Sequence, residues 1–266
     1  MLLRVTLIAC LALAVGCTTV PGSDRSQFNF IPRSTADSLG NDAWQQALAE
    51  ATVVQSGTQA EMIQRIGKRI IAAAERLYPK RAKGYTWQFA LIDEPQTVNA
   101  WALPGGKSAV YTGLLTVTQD EKSLAMVMGH EVAHVLAHHG SERMSQGMGL
   151  QGVMIIAQLA TADRDPEQQG QMMQLLGMAG QAGVILPFSR NHESEADHLG
   201  LMMAADAGYN PQAAVSLWQR MAATGGGERP PEFMSTHPSE ATRIKRLQEL
   251  MPEALKLFKA AKAAGR

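Results

Sequence analysis

The sequence has little cysteine, few aromatic residues and no excess of charge of either sign. Its 2 cysteines, Cys10 and Cys17, both lie near the N-terminus, so no disulfide is expected in the folded domain. Lys and Arg together number 24, as do Asp and Glu, and no nucleic-acid partner is expected because there is no basic field to hold one. A chain of 266 residues with 45% hydrophobic composition is long enough to form a domain with a core and a cleft.

The first residues have the pattern of a secretory signal. Arg4 precedes an apolar stretch, residues 5–15, that is too short to cross a membrane, and small residues stand immediately before Cys17. This ending resembles a bacterial lipobox, in which the cysteine is lipidated and becomes the new N-terminus. Cleavage before Cys10 would leave too short an apolar segment, and a plain cleaved signal is the alternative to lipidation. We therefore expect a lipoprotein signal peptide in residues 1–16 and a membrane anchor at Cys17.

The segment after the cysteine has the composition of a linker. Residues 17–33 are rich in Thr, Ser, Pro and Gly, which predicts a flexible tether between the lipid and a single domain over residues 34–266. Thr18, rather than Asp, follows the cysteine. In the usual Gram-negative sorting pattern this predicts a periplasm-facing protein that is anchored to the outer membrane.

The remaining sequence predicts a mostly helical domain with a small β-sheet. Apolar residues recur at three- and four-residue spacing over residues 43–54 and 61–77, which is typical of amphipathic helices. Alternating or short apolar runs between turn residues predict strands at residues 86–92, 98–103 and 108–111. The segments that follow favour helix, so the expected fold class is α+β and predominantly helical.

Two of the later helices bear on the function. Thr118-Gln119-Asp120-Glu121 has the pattern of a capping box and predicts a helix that begins there and ends near Gly140. Residues 148–160 are apolar but are interrupted by Gln151 and Gln158, and they are too short and too polar to span a bilayer. We interpret them as a packing helix, with partial insertion into a membrane surface as the alternative.

The first of these helices carries the pattern His-Glu-x-x-His at residues 130–134. Because His130 and His134 are four residues apart, they project from one face of the helix and can bind one zinc ion. Glu131 lies beside them, where it can take a proton from a water molecule at the metal. Two surface histidines are the alternative, but the helix is apolar nearly all round, which predicts that these polar groups are buried and need a partner.

A catalytic zinc site needs a third protein ligand. One subclass places a histidine six residues after His134, but that position is Gly140. Another subclass would place a glutamate near residues 153–156, where none occurs. The next cluster of candidate ligands is Asn-His-Glu-Ser-Glu-Ala-Asp-His at residues 191–198, in a predicted helix after Pro187.

These motifs resemble the HtpX and CAAX prenyl protease family of zinc metallopeptidases, in particular its soluble periplasmic lipoprotein branch. The resemblance implies a zincin-like metalloprotease domain of the gluzincin type, with one catalytic zinc ion. The chain departs from some periplasmic relatives in that it stops near residue 266, so the helical repeat domain that they append is not expected here. It also implies a small β-sheet whose edge strand borders the active-site cleft. The resemblance is carried by residues 99–106 (NAWALPGG), 113–115 (GLL), 130–134 (HEVAH), 193–197 (ESEAD), 236–238 (THP) and 243–244 (RI).

The resemblance assigns roles to residues of the cluster. It makes Glu193 the third zinc ligand beside His130 and His134. Asp197 lies one turn later on the same helix face and supports the site as a hydrogen-bond partner of a ligand. Glu195 lies on a different face from Glu193, so it is expected to contribute little to zinc binding.

Residues near the C-terminus receive less direct roles from the same resemblance. His237 either donates a hydrogen bond to the developing oxyanion or occupies the open zinc position, with simple loop packing as the alternative. Arg243 pairs with a carboxylate near the site, such as Asp197. Supporting, structural or solvent-exposed roles are expected for the other histidines, which are His138, His139, His192 and His198.

The segment formed by Asn99, Ala100, Trp101 and Ala102 resembles the edge strand along which family members align a peptide backbone, and a plain core strand is the alternative. An edge strand binds a peptide mainly through hydrogen bonds to the peptide backbone and less through its side chains. The expected function is therefore a zinc-dependent endopeptidase with loose specificity for extended, unfolded or misassembled envelope proteins. The alternative is a factor of the envelope assembly machinery that binds immature outer-membrane proteins and cleaves rarely, but the intact Glu131 favours catalysis.

Overall fold

The computed structural model describes residues 17–20, 22–23, 25–163, 165–224, 233–234, 237 and 242–266. The signal peptide predicted for residues 1–16 lies outside the described residues. The strands are β1 (Cys17–Thr19), β2 (Ser26–Phe28), β3 (Gln88–Ile92), β4 (Ala100–Leu103) and β5 (Lys107–Tyr111). The helices are α1 (Arg33–Glu50), α2 (Thr58–Leu77), α3 (Pro79–Ala82), α4 (Thr112–Thr118), α5 (Glu121–Leu136), α6 (His139–Ala160), α7 (Pro166–Gly180), α8 (Leu186–Asp206), α9 (Ala213–Thr224) and α10 (Arg243–Ala263), with a π-helical segment (Gln181–Ile185) between α7 and α8.

Three of the strands form one small sheet in the order β3-β5-β4. β3 runs parallel to β5, whereas β4 runs antiparallel to it with Ala100 opposite Val110. In the turn between β4 and β5, Gly105 and Gly106 have φ values of 87° and 84°, which glycine adopts without steric cost. Most other described elements are helices, so the predicted α+β, predominantly helical class is confirmed. Among the described strands, β4 lies at an edge of this sheet.

Helices α5 and α8 cross at the centre of the molecule in direct backbone contact. α5 is buried from Ser123 to Leu136. At the crossing, Gly129 faces Gly200, and a Cβ atom added to Gly200 would lie 2.7 Å from the backbone nitrogen of His130. Since no side chain fits between them, these two glycines allow the helix of the His-Glu-x-x-His pattern to approach the helix that carries Glu193.

Gly200→Ala is expected to lower the free energy of unfolding by about 1–3 kcal/mol, because the added methyl group forces α5 and α8 apart. The matched control is Gly152→Ala on α6, where an added Cβ meets nothing within 4 Å. This control should leave stability unchanged or raise it by up to about 1 kcal/mol. Thermal unfolding of both variants beside the wild type measures the difference. Equal melting temperatures for Gly200→Ala and the wild type would contradict the packing described above.

Both ends of α5 differ from the prediction. Asp120, not Thr118, caps the helix, and its Oδ1 accepts a hydrogen bond from a backbone N–H of the first turn at 2.8 Å. Thr118 is the last residue of the preceding helix α4 and is therefore unavailable as a cap. The helix ends at Leu136 rather than near Gly140, because His138 adopts a φ of 56° and turns the chain before α6 begins.

The described part of the N-terminal segment is folded against the domain, which corrects the prediction of a flexible tether over residues 17–33. β1 and β2 pair as a short antiparallel hairpin. Gln27 is fully buried, and its Nε2 donates a hydrogen bond to Glu142 Oε2 at 3.0 Å. Arg25 donates hydrogen bonds to both Glu142 and Glu195. The physical reason is that buried carboxylates of the domain need polar partners, and this segment supplies them.

Helices α6 and α7 pack on each other and contribute little to the core. The packing helix predicted for residues 148–160 does contact α7, but many of its large apolar side chains are exposed. Among the described residues, no helix combines the length and the apolar character needed to cross a bilayer. The exposed apolar side chains of α6 are Met148, Val153, Ile155, Ile156 and Leu159.

Candidate metal centre

Four buried side chains bring their donor atoms to one point beside α5 and α8. His130 Nε2 lies 3.0 Å from His134 Nε2 and 3.2 Å from His237 Nδ1. The carboxylate of Glu193 lies 3.3 Å from His130 Nε2 and 3.5 Å from His134 Nε2. The same carboxylate lies 3.1 Å from His237 Nδ1. All four donor atoms lie within 4.8 Å of one another, so they can share one ion.

The spacing of these atoms fits a tetrahedral zinc ion. With zinc–nitrogen bonds of about 2.0–2.1 Å, tetrahedral geometry separates neighbouring donors by roughly 3.3 Å. The separations between the paired donors above run from 3.0 to 3.5 Å. Imidazole nitrogens and a carboxylate oxygen are also donors that zinc prefers in proteins. The residues therefore fit zinc, and His237 Nδ1 is the fourth donor atom of the cluster.

Asp197 and Arg243 support His130 from outside the donor cluster. Asp197 Oδ1 lies 3.0 Å from His130 Nδ1, so the Nδ1–H of the ring donates to it and Nε2 is left for the metal. Arg243 Nη2 donates to the same oxygen at 2.6 Å, and its guanidinium carbon lies 3.4 Å from the ring centre of Trp218. Burial alone would raise the pKa of Asp197, but the charge of Arg243 and the hydrogen bond with His130 hold it below its ordinary value. Asp197 is thus an ionised acceptor.

Glu131 is buried beside the same cluster. Its Oε1 lies 3.5 Å from His237 Nε2 and has no hydrogen-bond partner among the described residues. Burial raises the pKa of Glu131 above its ordinary value. A carboxylate with a raised pKa is suited to take up and return a proton near neutral pH. An unsatisfied buried oxygen next to the donor cluster is therefore placed to hold a water molecule.

The edge of the sheet borders the donor cluster. Phe233 stacks on His237 with ring centroids 4.5 Å apart, and its backbone nitrogen donates to Val98 O at 3.0 Å. This hydrogen bond joins the chain just before β4 to a residue that packs on the cluster. Four residues were expected to align a substrate here, of which Asn99 and Ala100 are buried and Trp101 and Ala102 are half-buried.

The model of one protein family, described as Peptidase family M48, matches residues 58–251, which is more than half of the chain. The protein belongs to peptidase family M48. The M48 match includes His237 and both helices that carry the other three donors, α5 and α8. The sequence predicts a zinc metallopeptidase, and membership of this family confirms that enzyme class. The donor cluster is consistent with one bound zinc ion.

Several curated proteins resemble this M48 chain. It is 36% identical over 239 residues to the "Mitochondrial metalloendopeptidase OMA1" of Schizosaccharomyces pombe, a match that covers 88% of this chain and 66% of that protein. It is 26% identical over 238 residues to the "Beta-barrel assembly-enhancing protease" of Escherichia coli, covering 88% of this chain and 47% of that protein. The chain therefore spans about two thirds of the first relative and about half of the second.

A second polar network of the M48 site includes His139, for which a supporting or solvent-exposed role is expected from the sequence, and joins it to Glu195 and Arg25. His134 Nδ1 lies 2.8 Å from His139 Nδ1, and His139 Nε2 lies 3.0 Å from Glu195 Oε2. Arg25 Nε donates to Glu195 Oε1 at 2.7 Å. Burial raises the pKa of Glu195, but its hydrogen bonds with Arg25 and His139 outweigh this effect and lower the pKa to about 2. Glu195 lies outside the donor cluster, as its helix phase predicts, yet it is connected to a donor through His139.

The contact between His134 and His139 breaks the usual helical spacing. Residues five apart do not share a face of a continuous helix, but the turn at His138 brings the ring of His139 next to His134. His192 then stacks on His139 with ring centroids 4.3 Å apart. The histidines close to the His-Glu-x-x-His pattern were a usable signal for such a network. No local signal marks Arg25, which is 170 residues away from Glu195 in the sequence.

Proposed function

We propose that this chain is a zinc-dependent endopeptidase that hydrolyses peptide bonds of extended, unfolded or misassembled proteins of a bacterial cell envelope. One observation carries the catalytic part of the proposal: four buried donors converge beside Glu131, whose Oε1 has no hydrogen-bond partner among the described residues. A structural zinc site is closed by its ligands and has no need of a buried carboxylate next to them. The names of similar proteins, a metalloendopeptidase and a protease, support the same activity.

In the proposed mechanism His130, His134 and Glu193 would hold the zinc ion. When bound, zinc would act as a Lewis acid and lower the pKa of a water molecule at the site toward neutrality. Glu131 accepts the proton of the attacking water and returns it to the leaving amine. Asp197 accepts a hydrogen bond from His130 Nδ1, which keeps the ring in the orientation and tautomer that a ligand needs.

His237 is proposed to act at the metal because its Nδ1 lies among the donor atoms. Its Nδ1 fills the fourth donor position, which supports a resting state in which His237 is an additional ligand. A bound peptide would displace this ring, which is then available to donate a hydrogen bond to the oxyanion that develops on the peptide carbonyl. The stacking of Phe233 on His237, together with the hydrogen bond from Phe233 to Val98, supports a link between the strand edge and this displacement.

The proposed substrate is a polypeptide in extended conformation. β4 lies at the edge of the sheet among the described strands, and an extended peptide can add to such an edge through backbone hydrogen bonds. Backbone hydrogen bonds are common to all sequences, so loose specificity follows. Unfolded or misassembled proteins present extended segments of this kind, whereas compact proteins do not.

The envelope location is proposed from the N-terminal pattern. Residues 1–16 are taken as a lipoprotein signal and Cys17 as the lipidated residue, with the outer membrane of a Gram-negative bacterium as its anchor. A single peptidase domain is proposed from residue 34 onward, and the β1–β2 hairpin packs on it. Similar proteins of Escherichia coli and Yersinia pestis are named "Beta-barrel assembly-enhancing protease", which supports a role close to outer-membrane protein assembly.

The same names favour a second candidate function, an assembly factor that binds immature outer-membrane proteins and cleaves only rarely. Digestion of unfolded casein by the purified protein separates the two candidates. We expect cleavage that stops when a chelator removes the metal and returns when zinc is restored, with about one zinc ion per chain by metal analysis. A zinc-loaded protein that binds casein without cleaving it would overturn the endopeptidase proposal and favour the assembly factor.

Cys17→Ser is expected to move most of the protein from the membrane fraction to the soluble fraction. Several acyl chains on one cysteine supply lasting anchorage, and the substitution removes all of them. Fractionation of cells that express each form, followed by immunodetection, measures the change. If the variant stays on the membrane, the exposed apolar side chains of α6 or a partner protein must hold it there, and the proposed lipid anchor is wrong.

A further inference from the structure

The two histidines of the His-Glu-x-x-His pattern are supported in different ways. His130 Nδ1 bonds directly to a carboxylate, since Asp197 Oδ1 lies 3.0 Å away. His134 Nδ1 has a second ring as its partner, because His139 Nδ1 lies 2.8 Å away. The carboxylate comes one step later, where Glu195 Oε2 lies 3.0 Å from His139 Nε2.

The geometry determines which atoms carry the protons in this chain. A ligand nitrogen carries no proton, so His134 with Nε2 in the donor cluster has its only ring proton on Nδ1. That proton is donated to His139 Nδ1, which must accept it, and the proton of His139 is therefore on Nε2. Glu195 accepts this second proton as a carboxylate. A carboxylate at Glu195 thus favours, through His139, the same tautomer of His134 that metal binding at Nε2 requires.

Arg25 completes this chain from the N-terminal segment. Its Nε donates to Glu195 Oε1 at 2.7 Å and its Nη2 donates to Glu195 Oε2 at 2.9 Å. On its other side, Nη1 and Nη2 donate to the two carboxylate oxygens of Glu142 at 2.7 and 2.9 Å. Both carboxylates are almost entirely buried, with side-chain exposures of 8% for Glu195 and 0% for Glu142. Without the guanidinium, two negative charges would remain side by side in the interior.

We propose that Arg25, Glu195 and His139 are positioning residues for the zinc ligand His134, so that the N-terminal segment completes the metal site. Arg25 neutralises and orients Glu195, Glu195 sets the tautomer of His139, and His139 holds the ring of His134. The inference rests on the proposed zinc function and extends it to a segment far from the ligands in the sequence. Outer hydrogen-bond partners of a metal-bound histidine commonly change metal affinity by about 10- to 100-fold.

The test compares zinc affinity among variants of the full chain by competition with a coloured chelator. Arg25→Gln and His139→Phe are expected to weaken zinc binding by about 10- to 100-fold. Arg25→Lys, which keeps the charge but not the fork that bridges two carboxylates, should recover part of this loss. The matched control is Arg65→Gln, because Arg65 makes the same two-bond pair with Glu121 at 3.1 and 2.7 Å but belongs to α2 and touches no donor. Its zinc affinity should equal that of the wild type.

Two further measurements separate positioning from a general loss of folding. The melting temperature of each metal-free variant reports the fold alone. The visible spectrum of the cobalt-substituted protein reports the geometry around the metal and should change in Arg25→Gln and His139→Phe but not in Arg65→Gln. If Arg25→Gln does not fold, His139→Phe carries the test, because it leaves the pair between Arg25 and Glu195 intact.

The results decide between this inference and the function on which it rests. Wild-type zinc affinity and an unchanged cobalt spectrum in the folded variants, while the wild type binds zinc and cleaves casein, would overturn the positioning role alone. A wild-type protein that binds no zinc would overturn the proposed function and this inference together. Selective loss in Arg25→Gln and His139→Phe, with partial recovery in Arg25→Lys, supports the inference.

Discussion

Glu131→Gln is expected to reduce peptide hydrolysis by about 10²- to 10⁴-fold while leaving the zinc content unchanged. The substitution removes the group that takes up a proton and keeps all four atoms of the donor cluster. Glutamine has nearly the shape of glutamate and fills the same buried space. A neutral amide also costs less to bury than a carboxylate, so the variant should fold at least as stably as the wild type.

The measurement pairs casein digestion with metal analysis of the same sample. Glu249→Gln is a suitable control, because Glu249 is exposed on α10 and, among the described residues, its ion pair is a long one with Lys245 at 3.9 Å. It should retain full activity and full zinc content. Cleavage by Glu131→Gln at the wild-type rate, in a preparation shown to be free of other proteases, would refute the proposed role of Glu131.

Glu193→Gln is expected to lose bound zinc, and all measurable cleavage with it. The substitution replaces a charged oxygen ligand with a neutral amide in a site where Glu193 lies 3.1–3.5 Å from the other three donor atoms. Asp197→Asn should have the milder effect of about 10- to 100-fold in zinc affinity and activity, because Asp197 touches His130 Nδ1 and not the donor point.

Dialysis of both variants against a zinc buffer, followed by metal analysis and casein digestion, gives the order of the two effects. The expected order is wild type, then Asp197→Asn, then Glu193→Gln. Restoring zinc at high concentration should recover part of the activity of Asp197→Asn and none of the activity of Glu193→Gln. Zinc retention by Glu193→Gln would mean that His130, His134 and His237 hold the ion without it, and the ligand assignment would be wrong.

The helical parts of the site were predictable because their spacing is local. His130 and His134 are four positions apart in the sequence, and so are Glu193 and Asp197, so each pair shares one helix face whatever the rest of the chain does. Composition and period also predicted a mostly helical domain with a small sheet. The helix ends were less predictable, because Thr118 could serve either as a cap or as the last residue of α4, and the preceding helix decided between them.

The N-terminal segment shows where composition misleads. A segment rich in Ser, Thr, Pro and Gly favours a flexible chain when nothing else binds it. Here Arg25 and Gln27 donate hydrogen bonds to a carboxylate of the folded domain. The sequence of the segment alone does not reveal these distant partners. The same limit applied to Glu195, whose helix phase correctly placed it outside the donor cluster but could not reveal its contact with His139.

The sequence by itself determined the helix of the His-Glu-x-x-His pattern, the choice of zinc and the shared face of Glu193 and Asp197, because each depends on spacing within one helix or on the chemistry of side chains. Only the tertiary structure decided how close the two helices come, through the contact of Gly129 with Gly200. It also decided that His237 reaches the donor cluster and that Arg25 is connected to His134 through Glu195 and His139. Such contacts join residues up to 170 positions apart, and their partners are set by the packing of the whole domain rather than by any local period.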